Sequence, residues 1–153
     1  MEKKPIKRSR NLQPLSRDHH HTLLLCWKIR KGFTKGVDPS RIKAYSDWFF
    51  HSHLLPHFKI EEKYLFPVLG KEDHMIKKAL AEHRRLRRLF EDDRNPEKSL
   101  SLIEEELDHH VRFEERELFN RIQENATEEE LALIVRHHCD EKFQENTCDE
   151  FWL

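Results

Sequence analysis

Glycine is scarce in this chain of 153 residues, which has only 3, alongside 6 prolines. Turn-rich β-sandwiches and loop-heavy dinucleotide-binding folds are therefore poorly supplied with the residues they need. No stretch approaches the roughly 20 apolar residues that a membrane helix requires. The basic opening MEKKPIKRSRNLQPLS leads into no apolar run, so neither a membrane protein nor a secreted one is expected. Cysteine is limited to Cys26, Cys139 and Cys148, widely spaced and without a CxxC pair. That argues against a disulfide framework and for a reducing compartment, most simply the cytoplasm. An excess of one charge is also missing, since 28 Lys and Arg face 29 Asp and Glu for a net charge of -1. Nothing overall drives the chain toward nucleic acid or an anionic membrane. GxGxxG, P-loop GK[ST] and GxSxG signatures are absent too, leaving nucleotide-dependent and serine-hydrolase chemistry without support.

What remains is a helical pattern long enough for one core. After a polar arm, Ser16 can cap a first helix carrying Leu23, Leu24, Trp27 and Ile29 that ends near Gly32 and Gly36. Asp38-Pro39 opens a long second helix running to Gly70, with Pro56 expected to kink it just before His57. A third helix is predicted over about 73–93, with Ile76, Leu80, Leu86 and Phe90 on one side. Asn95-Pro96 repeats the cap-plus-proline start for a fourth helix reaching about Glu124. Short links between helices of similar length imply an all-α, up-down-up-down four-helix bundle. Thr127 and Glu130 form a capping box for an additional C-terminal helix. The expected organisation is a polar arm over 1–14, the bundle over 15–124, and a C-terminal helix with an apolar Phe151-Trp152-Leu153 tail over 125–153.

The unusual feature is histidine, of which there are 12. HFKIEEKYLFPVL from His57 aligns without gaps on HVRFEERELFNRI from His110, an offset of 110 − 57 = 53 residues. Each copy carries HxxxE, His57 with Glu61 and His110 with Glu114, and i, i+4 spacing puts both side chains on one helix face. With His57 at the origin and about 100° per residue, Phe50 and Val68 fall at about 20°, Tyr64 at about 340° and Glu61 at about 40°. The same arithmetic sets Ile103 and Leu107 beside His110, so both units point into the core. Uncompensated carboxylates there cost several kcal/mol each, and cations would neutralise them.

Further inward histidines are expected on the other helices. His83 shares a face with Ile76, Leu80 and Phe90, whereas His74 points away. On the first helix the choice lies between His19, preferred, and His20, with His21 turned off the apolar stripe. The predicted set is His19 or His20, His57, Glu61, His83, His110 and Glu114. Mixed imidazole and carboxylate in a bundle core suits iron or manganese better than structural zinc. Two six-coordinate ions take twelve bonds: four from imidazoles, four from two bridging carboxylates and two from a bridging oxygen leave two positions for exogenous ligands. His53 and Glu106 are each expected to back a ligand by hydrogen bonding, and Glu62 and Glu115 to be solvated or ion-paired. Arg84, Arg85, Arg87 and Arg88 read as i, i+4 partners, Arg87 with Glu91 and Arg88 with Asp92, rather than as a nucleic-acid patch. His137-His138-Cys139-Asp140 is a weak zinc pattern, and Trp27 and Trp48 read as core.

Over about residues 12–124 the segments LSRDHH, HFKIEEKYLFP, EHRRL and HVRFEERELF resemble, in order, the four ligand-bearing helices of the hemerythrin-like, or HHE cation-binding, domains. The resemblance implies a carboxylate-bridged non-haem centre of two Fe ions, with Mn or Zn as substitutes, binding dioxygen or a similar diatomic such as nitric oxide. It departs from the oxygen carriers in having Ala79 and Arg87 where HxxxH would flank His83, and HxxxE rather than HxxxxD on the fourth helix. One histidine fewer leaves a more open iron, which favours sensing, redox or iron handling. The expected protein is a binding module, monomeric or homodimeric, with no nucleic-acid or membrane partner. A di-iron enzyme acting on peroxide or nitric oxide, in which Tyr64 could serve as a redox or hydrogen-bonding group, and a metal-free helical interaction protein are the competing readings.

Overall fold

A computed structural model describes residues 7–138 and 142–153. Among these residues it contains five helices and no strand. Helix α1 is Gln13–Thr34. Helix α2 covers 39–65, α3 is His74–Glu91, α4 covers 96–125, and α5 is Glu128–His137. Asp38, Asp73, Asn95 and Thr127 each accept a hydrogen bond from a first-turn N–H, capping α2 to α5, and the Thr127/Glu130 capping box forms. Ser16 does not cap α1. The helix opens earlier, because Pro14 has a φ already suited to the first turn, and Ser9 instead caps a short 3-10 turn, Arg10–Leu12. No described helix is long and apolar enough to cross a membrane.

Antiparallel order is visible in how each helix crosses two apolar clusters. In α1, Leu15 belongs to one cluster and Leu25, Cys26 and Ile29 to the other, with His19 between. In α2 the order reverses, from Phe49, Phe50 and Leu54 to Leu65 and Phe66, with Glu61 between. It reverses again through His83 on α3 and once more through His110 and Glu114 on α4. A polar layer thus sits across the middle of the bundle with an apolar cluster at either end. Helix α5 packs Leu131 and Ile134 against one cluster, and the tail packs Phe151 and Trp152 into the other, beside Tyr45. The apolar terminus therefore docks on its own chain.

Two features of α1 differ from the sequence reading. The buried stripe is Leu15, His19, Thr22, Cys26 and Ile29, leaving Trp27 46% exposed. Lys28 is buried instead, its Nζ donating to Tyr45 and Glu145 and lying 4.0 Å from the Trp152 ring centroid. The C-terminal segment covers that face, which periodicity within α1 cannot report. Gly32 is no stop either; the positive φ of 70° that ends this region belongs to Gly36. A Cβ on Gly32 would come within 2.6 Å of Ile42 Cδ1 and 2.9 Å of Phe151 Cε2, so a glycine lets α1, α2 and the tail approach.

Helix α2 absorbs Pro56 through a π-helical turn over Phe50–Leu54, in which the Leu55 N–H reaches the Phe50 carbonyl. The widened turn accommodates the ring and the missing donor. Overpacking predicts that Gly32→Ala lowers stability by about 1–3 kcal/mol. At about 2–4 °C per kcal/mol for a chain of this size, thermal denaturation should show a fall of several degrees; an unchanged Tm would contradict the close approach.

Candidate metal centre

The duplicated sequence unit is also a duplicated backbone irregularity. A π-helical turn spans Glu61–Leu65 on α2 and another spans Glu114–Leu118 on α4, again 114 − 61 = 53 residues apart. Phe66 N–H reaches the Glu61 carbonyl and Phe119 N–H the Glu114 carbonyl. In an unbroken α-helix Phe66 would lie about 180° from His57. The extra residue of the π turn takes back about 100°, bringing Leu65 and Phe66 inward while Tyr64 and Val68 become half-buried. The expectation that Tyr64 and Val68 share the His57 face fails for this reason; Tyr64 stacks on His137 at 4.3 Å.

Six side chains meet in the polar layer. His19, His57, Glu61 and Glu114 form one group of converging donor atoms, and Glu61, His83, His110 and Glu114 a second, each within 4.8 Å. The two groups share both carboxylates, and Glu61 and Glu114 are completely buried. His57 Nε2 lies 3.3 Å and His83 Nε2 3.2 Å from Glu61 Oε1. His19 Nε2 and His110 Nε2 each lie 3.1 Å from Glu114 Oε1. His20 is exposed, so between the two alternatives on α1 the fold brings His19 to the cluster.

Behind each imidazole stands a carboxylate from the neighbouring helix. Asp18 on α1 accepts from His57 Nδ1 at 2.9 Å, and Glu62 on α2 from His83 Nδ1 at 2.7 Å. Glu82 on α3 accepts from His110 Nδ1 at 2.7 Å, and Glu115 on α4 from His19 Nδ1 at 2.7 Å, closing the ring. Each acid is adjacent in sequence to a cluster residue of its own helix, so it lies about 100° from the core direction and faces the next helix. Such pairing fixes the ring with its Nε2 lone pair aimed at the centre. His53 and Glu106 do not take this part. His53 lies among Trp48, Phe49 and Phe143, and Glu106 pairs with Arg85. Arg87 pairs with Glu62 across helices rather than with Glu91. The sequence signal of this ring is the acid adjacent to a cluster residue in DH, EE, EH and EE; Glu62 and Glu115, expected to be solvated or ion-paired, do pair with Arg87 and Arg8 but also hold His83 and His19.

The electrostatics are those of a site awaiting positive charge. Burial, followed by the Glu114 charge, pushes the Glu61 carboxyl up to about 8. Glu114 is held well below its usual range because His110, Glu61 and His19 outweigh the effect of burial. Of the two buried acids, Glu61 is thus the one that holds a proton and Glu114 the one that stays charged. Burial opposes charge on His110, but Glu114 and the Glu82 hydrogen bond raise it to about 10. Both Glu61 oxygens, Glu114 Oε2, His83 Nε2 and His110 Nε2 are buried without a hydrogen-bond partner. Orphaned atoms of this kind, all of them hard or borderline donors, fit divalent or trivalent transition-metal ions. His137 and His138 belong to α5 and its end, while Cys139 and Asp140 of the zinc pattern lie outside the described residues.

Glu61 and His110 are raised, as is His19, whose hydrogen bonds to Glu114 and Glu115 outweigh the effect of burial; what Glu61 and His110 contribute to the stability of the metal-free protein is present below their ordinary ranges and is lost as pH rises through about 8 and about 10. A cation must displace such protons, so binding at pH 7 should release protons, and affinity should fall as the pH falls. Titration calorimetry in buffers of different ionisation enthalpy measures the release; identical heats in every buffer would refute it.

A family model for the hemerythrin HHE cation-binding domain matches residues 11–122. No curated protein and no solved structure matches the chain significantly.

Proposed function

Because the chain belongs to the hemerythrin HHE cation-binding domain family, we propose that it is a di-iron protein that binds or senses a small diatomic ligand, dioxygen or nitric oxide. His19 and His57 would hold one ion and His83 and His110 the other, with Glu61 and Glu114 offered to both. The observation that carries this reading is the pair of four-donor groups sharing two fully buried carboxylates. With four protein donors in each group, a six-coordinate ion bound there would keep positions for exogenous ligands. Bound iron would supply those positions and a one-electron redox couple.

The chain's own residues supply orientation and exclusion of water. His83 is stacked 3.8 Å from the Phe58 ring and 5.4 Å from Phe66, and His19 lies 5.1 Å from Phe119. Apolar rings on these faces keep water from the carboxylates and strengthen their hold on a cation. The outer ring of Asp18, Glu62, Glu82 and Glu115 keeps the proton on Nδ1, so each imidazole presents Nε2. Tyr64, the redox or hydrogen-bonding group of the competing enzyme reading, stacks on His137 at 4.3 Å.

Elemental analysis and the optical spectrum of anaerobically purified protein should show about two irons per chain. His57→Ala and Glu61→Ala should lose metal while His21→Ala keeps it; metal-free wild-type protein would leave the helical interaction reading. Exposing the reduced protein to oxygen separates the remaining two, a reversible adduct supporting ligand binding and turnover supporting an enzyme.

A further inference from the structure

Three of the four carboxylates behind the imidazoles are themselves gripped by a cationic or imidazole side chain. Arg87 Nη2 donates to Glu62 at 2.9 Å and Arg8 Nη2 to Glu115 at 3.2 Å. Asp18 is held instead by His138, whose Nε2 donates to Asp18 Oδ2 at 2.7 Å. That same oxygen accepts from His57 Nδ1 at 2.9 Å, so one atom joins the two rings. These hydrogen bonds hold the Asp18 carboxyl well below its usual range against the opposing effect of burial.

His138 stands outside the segment that the family model matches, which ends at residue 122. It follows the last turn of α5, where its N–H bonds the Ile134 carbonyl. Leu131 and Ile134 anchor that helix in the apolar cluster that also holds Leu12, Leu15 and Phe119. The ring is therefore placed by packing rather than free to wander. Its other nitrogen, Nδ1, is buried without a partner, which leaves Asp18 as its one side-chain engagement among the described residues.

We propose that His138 is a positioning residue for the metal centre: it fixes Asp18, Asp18 fixes His57, and the C-terminal helix thereby sets how tightly the His19/His57 half of the centre holds its ion. The proposal rests on the reading of His57 as a ligand. Arg87, acting through Glu62 on His83, is the counterpart for the other half.

Two measurements test it. In metal-free protein, the NMR resonance of the His57 Nδ1–H should move or exchange faster in His138→Ala and return toward the wild-type position in His138→Gln, whose amide can donate to Asp18. In iron-loaded protein, His138→Ala should release one of the two equivalents to a chelator about tenfold faster, leaving the second at its wild-type rate, with His138→Gln partly restored. Arg87→Ala should speed release of one equivalent as well, and the double variant both. Equal acceleration of both equivalents by His138→Ala alone would mark a general loosening of the fold and overturn the proposal. So would an unchanged His57 resonance with unchanged release. Wild-type protein that takes up no metal would overturn the di-iron reading, and this inference with it.

Discussion

Two glutamates with no exposure to solvent, placed side by side in the middle of a helical bundle, set the terms for everything around them. Removing a carboxylate from water costs several kcal/mol unless charge or hydrogen bonds replace the solvent. Glu61 and Glu114 find only imidazoles and each other, and several of their oxygens and the facing nitrogens stay unpaired. Protons alone meet this need poorly, since satisfying one carboxylate with a proton leaves the other leaning on His110 and His19. Positive charge placed between the two would meet it on both sides at once. Folding and cation binding are therefore linked, because the same four helices that bury the acids also deliver the imidazoles.

Backbone and side chains solve the geometry together. A plain α-helix that carries HxxxE inward would carry the phenylalanine five residues after the glutamate outward. The π turn after each glutamate corrects this, so Leu65 and Phe66, like Leu118 and Phe119, seal the layer from below. The outer acids then pass from helix to helix, 1 to 2, 2 to 3, 3 to 4 and 4 to 1. Each helix orients an imidazole it does not own. Displacing any one helix would release an imidazole on the next, which makes the polar layer a register lock as well as a site.

The C-terminal segment extends this coupling beyond the bundle. Helix α5 closes one end, Phe151 and Trp152 close the other, and Glu145 fastens the intervening stretch to Lys28 and Tyr45. An element that looks like an appendage is in contact with both apolar clusters and, through His138, with the polar layer between them.

The sequence by itself determined the helices, their caps at Asp38, Asn95 and Thr127, and the inward direction of His57, Glu61, His83, His110 and Glu114. Those properties depend on neighbours within four residues, which a 3.6-residue period records. The choice of His19 over His20, the burial of Lys28 in place of Trp27, the partners of Arg85 and Arg87, and the ring of outer acids were decided by the tertiary structure. Each depends on which helix or tail segment lies alongside, and local periodicity carries no such term. The π turns fall between the two: their repeat was readable as a 53-residue offset, but their change of phase needed the packed core to select it, since an isolated helix gains nothing from a wide turn.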